Sequence, residues 1–192
     1  MVLTPSVMAT LGSCAPTFKL PNYHVVNNLL GQGELVGLDD FKSRHGLLVM
    51  FLCNHCPYVI HINQGLVTLA NHYLPLGIDF VAINPNDVAT YPEDAPDKMR
   101  VVAQREGYPF PYLHDETQEV ARAYDATCTP DFFLYDSKLQ LYYRGRLDGS
   151  TPGNSIPVTA EEMADACDTL IRGESSTDKQ RPSMGCSIKW KA

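Results

Sequence analysis

The sequence has no apolar run near the roughly 18 residues needed to span a bilayer, so no membrane span is expected. Basic charge is not in excess. Fifteen Lys and Arg against 22 Asp and Glu give a net charge of −7, and the pI is about 5.2. That balance argues against a nucleic-acid-binding surface. The first 15 residues have neither the basic start nor the long apolar stretch of a secretory leader, so a cytoplasmic protein is expected. There is no internal repeat, no low-complexity tract and no linker-like change of composition. The 192 residues, 44% hydrophobic, are enough to bury a real core. They are expected to form one domain over residues 1–192, with 1–14 loose and 174–192 a tail. A dense, even cysteine framework is also missing. Of six cysteines, Cys14, Cys53, Cys56, Cys128, Cys167 and Cys186, only Cys53 and Cys56 lie close in sequence. In a reducing compartment such a pattern favours catalysis, redox sensing or metal binding over structural bridges.

What is present centres on Cys53-Asn54-His55-Cys56-Pro57. The run before it, Leu47 to Leu52, has the length and composition of a buried strand. After it, Val59, Ile62, Leu66, Leu69 and Tyr73 recur at close to helical spacing. A second row (Ile60, Val67, Ala70, Leu74) suggests a helix covered on both sides. Pro57 suits the first helical turn, where its missing N–H costs nothing. The spacing thus places a Cys-x-x-Cys at a strand-to-helix junction, with the first sulfur expected near the helix N-terminus. Free N–H groups and the positive end of the helix dipole stabilise a thiolate there.

Around this unit, Ala15 to Pro21 reads as a short strand, and Asn22 to Asp40 as paired strands about a glycine turn. Ile78 to Ile83 reads as a central strand, so that strand, helix and strand form a right-handed parallel crossover. Pro96 to Arg105 reads as a helix stopped by Gly107. Asp115 is expected to cap a short helix through Tyr124, with Gln118 completing a capping box. Asp131–Tyr135 and Gln140–Arg144 read as a hairpin, and Ala160–Ile171 as the last helix. Arg144, Arg146 and Asp148 are expected to be solvated charges at a strand end. His61 and His72 share a helix side but lie too far apart for one metal.

A Cys-x-x-Cys after a buried strand, Thr129-Pro130 directly before another strand, and a closing hairpin and helix together resemble the thioredoxin-like superfamily. The segments Phe51 to Tyr58, Cys128 to Phe133 and Pro182 to Cys186 resemble its bacterial thioredoxin-family, redoxin-domain (AhpC/TSA-like) branch over about residues 15–192. The resemblance implies an α/β thioredoxin-like fold with a mixed central sheet flanked by helices, an N-terminal β-hairpin and a C-terminal tail. It also implies that Pro130 is cis and that its loop faces the dithiol.

By the same resemblance, the function expected is thiol–disulfide exchange on a protein or small-molecule disulfide, with a thiol reductant or reductase as partner and no cofactor. Cys53 would attack and Cys56 resolve, beside a binding surface of Thr129, Asn54 and Pro57. His55, between the sulfurs, would favour the thiolate and make the disulfide more oxidising. No acid falls at Leu47 to Met50, where thioredoxins carry a buried carboxylate. Cys128 and Cys186 are possible auxiliary redox thiols. Cys128 is expected to be a small buried residue and Cys186 a free or buried thiol, a tail cysteine reaching Cys53 being the peroxiredoxin-type alternative. Cys14 and Cys167 look incidental. Two other functions stay open. One is a thiol peroxidase with Cys56 or Cys53 peroxidatic, Cys56-Pro57 matching the peroxiredoxin pattern while Cys53 replaces its threonine. The other is metal binding through Cys53 and Cys56 with Cys128 or Cys186.

Overall fold

In a computed structural model that describes residues 3–26, 33–177 and 179–191, the chain begins with three short strands: β1 (Leu3–Pro5), β2 (Lys19–Pro21) and β3 (Leu35–Gly37). The central unit is β4 (Gly46–Phe51), α1 (Pro57–Tyr73) and β5 (Ile78–Asn84). There follow α2 (Pro96–Glu106), β6 (Tyr112–His114), α3 (Glu119–Ala123), β7 (Cys128–Thr129), β8 (Asp131–Asp136), β9 (Leu141–Tyr143), α4 (Glu161–Ile171) and β10 (Met184–Ser187).

The main sheet has the order β6-β5-β4-β8-β9. β4 runs parallel to β5 and antiparallel to β8. Every residue of β4 is buried, because both sheet faces are covered. Leu48, Met50 and Leu52 join a core with α1, α2 and α4 residues such as Leu66, Met99 and Met163. Leu47, Val49 and Phe51 join a second core with Phe18, Val120 and Phe133. The period-2 alternation of one apolar run therefore feeds two cores. Since β4 ends at Phe51, the Cys-x-x-Cys emerges at the C-terminal end of the most deeply buried strand.

Several expectations are met and several corrected. The hairpin ahead of the main unit exists, pairing Lys19 with Gly37 and Pro21 with Leu35; of the glycine turn expected over 29–33, residues 29–32 lie outside the described residues. Gly107 ends α2 at φ 73°, the left-handed C-terminal conformation that glycine adopts without strain. Helix α1 buries Val59, Ile62, Leu66, Leu69 and Tyr73, and of the expected second row Ala70 is buried and Val67 and Leu74 pack against the same core, while Ile60 is 51% exposed. The segment expected to be loose, 1–14, contains β1, whose Leu3 pairs with Cys186 of β10. The capping box of α3 does not form. Asp115 does accept the Ala121 N–H, but the Gln118 side chain turns away to the carbonyls of Pro85 and Lys189.

Of the three charges after β9, Arg146 is partly exposed and paired with Glu162, but the other two are not solvated. Arg144 is fully buried, with its guanidinium 3.1 Å from Asp131 and 4.0 Å above the Phe133 ring. Asp148 is buried too, and accepts the backbone N–H groups of Thr159 and Ala160 just ahead of α4. A strand end reads as exposed from sequence because burial there is imposed by distant elements, here α3 and the start of α4.

Candidate active site

Three elements bring the sulfurs together. The turn after β4 carries Cys53, the start of α1 carries Cys56, and the β7 loop brings Thr129 and a cis Thr129–Pro130 bond against them. Cys53 Sγ lies 3.1 Å from Thr129 Oγ1, and Cys56 Sγ lies 3.2 Å from the Thr129 carbonyl. Both cysteines are buried. A cavity of about 50 Å³ next to Pro130 is lined by Tyr58, Ile62, Phe132 and Met184 among others.

The helix starts at Pro57, one residue after the second cysteine, so Cys56 and not Cys53 occupies the N-cap. The helix N-terminus thus lies at the second sulfur, where the sequence expectation put the first near it. The thiols of Cys53 and Cys186 and the backbone N–H of Val59 are aimed at Cys56, and they bring its pKa down to about 5 against the cost of burial. Cys53 donates to Cys56, is buried, and faces the Asp94 carboxylate, so its thiol is held well above the ordinary value. In its protonated form, Cys56 donates to the Thr129 carbonyl. These contacts favour the thiolate on Cys56 and the thiol on Cys53.

Cys186 completes the group. Strand β10 pairs antiparallel with β7, Cys186 opposite Thr129, and places Cys186 Sγ 2.8 Å from Cys56 Sγ. Its pKa is pushed up to about 12 by burial and by its hydrogen bond to Cys56.

A buried carboxylate lies on the other side. Asp94, at the end of a short 3-10 turn Pro92–Asp94, is fully enclosed. One of its oxygens accepts the Asn54 N–H at 2.7 Å; the other accepts Asn86 Nδ2 at 2.7 Å and lies 2.8 Å from His55 Nδ1. That carboxylate raises the His55 pKa, against partial burial. The His55 ring stacks on Tyr91 with centroids 5.6 Å apart. Donor atoms of Cys53, His55 and Asp94 lie within 4.8 Å of one another. This is not the Cys53, Cys56 and Cys128 or Cys186 set expected for a metal. Both Asp94 oxygens already accept hydrogen bonds within the protein.

Residues 11–144 match the model of the AhpC/TSA family. The chain belongs to that family. Two solved structures cover almost the whole length. One, from Geobacillus kaustophilus and described as an uncharacterized conserved protein, is 53% identical, with a TM-score of 0.93 over 100% of this chain and 97% of its own. The other, a hypothetical protein from Sinorhizobium meliloti 1021, is 41% identical, with a TM-score of 0.92 over 98% of this chain and 99% of its own. The thioredoxin domain of a Bacteroides vulgatus thiol-disulfide oxidoreductase is 15% identical, with a TM-score of 0.60 over 82% of this chain and 98% of its own, and shows that the fold is thioredoxin-like. No curated protein matches the chain.

Within this AhpC/TSA-family chain, the residues singled out from sequence separate into two groups. Cys53, Cys56, His55, Thr129, Pro130 and Cys186 converge. Asn54 does not offer itself to a substrate: its N–H goes to Asp94, its Nδ2 to the Glu93 carbonyl and its Oδ1 to the Tyr112 hydroxyl. Pro57 is exposed at the first turn of α1. Cys128 is buried, with its thiol 3.5 Å from the Pro130 carbonyl and its pKa raised by burial, as a structural residue should be. Cys186 reaches Cys56, not Cys53. Asp94 was missed. Its signal is an acid in the proline-bracketed stretch Pro92-Glu93-Asp94-Ala95-Pro96, which no local pattern links to residue 55.

Proposed function

We propose that the protein is a thiol–disulfide oxidoreductase working through Cys53 and Cys56 beside the cis-Pro130 loop. The observation that carries this reading is the packing of both sulfurs against one residue, Thr129, through its hydroxyl and its carbonyl. In the proposed reaction the Cys56 thiolate attacks one sulfur of an incoming disulfide, and the other sulfur leaves as a thiolate that takes up a proton. Cys53, having lost its own proton, then attacks Cys56, forming the Cys53–Cys56 disulfide and releasing the second half of the substrate. A thiol reductant or reductase returns the dithiol. The thiols of Cys53 and Cys186 stabilise the Cys56 thiolate and so weaken the disulfide relative to it, while the Asp94 carboxylate keeps the proton on Cys53. The Cys56 role departs from the first-cysteine attack expected from sequence, because the helix N-cap belongs to Cys56.

The test is reduction of a small-molecule disulfide coupled to disulfide mapping. The reading requires stoichiometric Cys53–Cys56 bond formation, and loss of turnover in Cys56→Ser. Turnover that survives Cys56→Ser would sink it.

A second reading, peroxide reduction by Cys56, is favoured by the family and by Cys56-Pro57 at a helix start. Against it, the threonine hydroxyl expected three residues earlier is replaced by Cys53, and Arg144 is committed to Asp131 and the carbonyls of Tyr124 and Asp125. Hydrogen peroxide turnover lost in Cys56→Ser and partly kept in Cys53→Ser is the outcome that would favour it.

A further inference from the structure

An open sheet edge beside a redox dithiol is a place where an extended peptide adds a strand, main-chain hydrogen bonds giving affinity and one side chain meeting the reactive group. In this protein the edge offered by β7, next to Cys56, is filled by the chain's own β10. The fit depends on a glycine. A Cβ at Gly185 would lie 2.1 Å from the Thr129 carbonyl oxygen and 2.6 Å from its carbon, so no other residue lets β10 come this close. The next residue is Cys186, buried and 2.8 Å from Cys56 Sγ. On its far side β10 is held by β1, where Ser6 and Ser183 exchange backbone and hydroxyl hydrogen bonds. Beyond it the Ile188 N–H reaches the Thr127 carbonyl. The Lys189 N–H reaches Asn86, the residue that also donates to Asp94.

We propose that Cys186 is a third redox thiol: β10 lies on β7 as a resident internal substrate, and Cys186 exchanges into disulfides formed at Cys56. This rests on the dithiol reading above. The Cys186 thiolate attacks Cys56 Sγ within the Cys53–Cys56 disulfide. The Cys56–Cys186 bond forms and the Cys53–Cys56 bond breaks, its electron pair staying on Cys53, which takes up the proton Cys186 gave. No electrons are gained or lost. The disulfide moves from the dithiol to the strand, and Cys53 is returned as a thiol. The same attack on a mixed disulfide at Cys56 expels the bound half of the substrate without Cys53. Cys56 is then the hub, with one sulfur partner on either side and the helix N-terminus stabilising it whenever it leaves as a thiolate.

The experiment adds oxidised glutathione to reduced protein, quenches with an alkylating reagent and maps every cysteine by mass spectrometry. Cys53→Ser is expected to release glutathione and accumulate a Cys56–Cys186 disulfide. Cys53→Ser with Cys186→Ser is expected to keep glutathione on Cys56. If the single variant instead holds glutathione on Cys56 with Cys186 freely alkylated, the third-thiol role is overturned. Adding Gly185→Ala to Cys53→Ser leaves the remaining thiols in place but lifts β10, and is expected to restore the trapped adduct; unchanged Cys56–Cys186 formation would overturn the role of the strand. Circular dichroism checks that each variant folds. Cys186→Ser alone separates the two claims. A Cys53–Cys56 disulfide there upholds the dithiol reading whatever Cys186 does, and its absence removes that reading even if Cys53→Ser still links Cys56 to Cys186.

Discussion

His55 Nδ1 lies 2.8 Å from Asp94 Oδ2, joining the turn between the two cysteines to an acid 39 residues further along the chain. The acid is fully enclosed, and two further donors, the Asn54 N–H and Asn86 Nδ2, hold it in place. A fixed negative charge at this distance favours the imidazolium and disfavours a thiolate on Cys53, the directions in which both groups are displaced. Asp94→Asn keeps the shape and removes the charge. The His55 pKa is expected to fall, read by NMR titration of its ring protons, and Cys53 to alkylate at lower pH. The linked stability has a definite sign. Because the folded His55 pKa is raised, the stabilisation is fully present below the unfolded value of about 6.5 and is lost as pH rises through the folded value. Denaturant melts on both sides of that window should show the wild-type advantage from this pair shrink at higher pH; an advantage that grows with pH would contradict the pairing.

Charge on the second cysteine gives a direct chemical signature. With Cys56 at about 5 and Cys53 raised, brief alkylation of the reduced protein at pH 7 is expected to label Cys56, and the labelling curve should rise well below the free-thiol value of about 8.5. Cys53→Ala removes a donor to Cys56 and should move that curve toward higher pH. Labelling that starts on Cys53, or only near the free-thiol value, refutes the assignment.

These two sites show which features the sequence made legible. The Cys53–Cys56 motif, the buried strand before it and Pro130 were readable because each rests on a local pattern: a fixed spacing, an apolar run, a proline. The first-cysteine attack expected from sequence and the Cys56 attack proposed above differ in which sulfur is given the helix N-cap. Where a helix begins decides which sulfur is its N-cap, and helix boundaries are the least certain part of any pattern. Asp94, Cys186 and Arg144 depend on contacts 39, 130 and 13 residues apart in sequence. Nothing local to any of them announces its partner, so the sequence points neither to the His55–Asp94 pair, nor to the Cys56–Cys186 contact, nor to the burial of Arg144.

The Arg144–Asp131 pair beside the β7 loop is fully buried, with both side chains at 0% exposure. Arg144 also donates to the carbonyls of Tyr124 and Asp125 and covers Phe133. Burial already pushes the Asp131 carboxyl up to about 7 against the pull of Arg144, so Arg144→Met leaves it either charged without a partner or forced to take up a proton, and leaves two carbonyls without their donor. The expected cost is about 3–5 kcal/mol, as for other broken buried pairs. Arg144→Met with Asp131→Asn should recover part of it, since the uncompensated charge is gone. Chemical denaturation of the two variants measures both numbers, and equal stability of the single and double variants would show that the charge is not what matters.

Gln118 ties the tail to the body, and its removal tests how firmly β10 is held over the dithiol. Its Nε2 donates to the carbonyls of Pro85 and Lys189, at 2.6 and 2.8 Å, while its Oε1 accepts the Lys191 N–H at 2.8 Å. The residue is buried, with a backbone φ of 64°, so the side chain is committed to these contacts and not to capping α3. Gln118→Ala breaks all three and leaves the Pro85 carbonyl unpaired in the interior. A loss of about 1–3 kcal/mol is expected for such a group. The effect should concentrate at the C-terminus. Trp190, held with Arg122 4.2 Å from its ring centre, should change its fluorescence, and amide exchange across residues 184–191 should rise more than in β4 or β5. Cys186 should then alkylate faster while Cys167, buried within α4, stays protected. An equal rise in exchange over the whole sheet would mean that Gln118 supports the fold at large and not the tail.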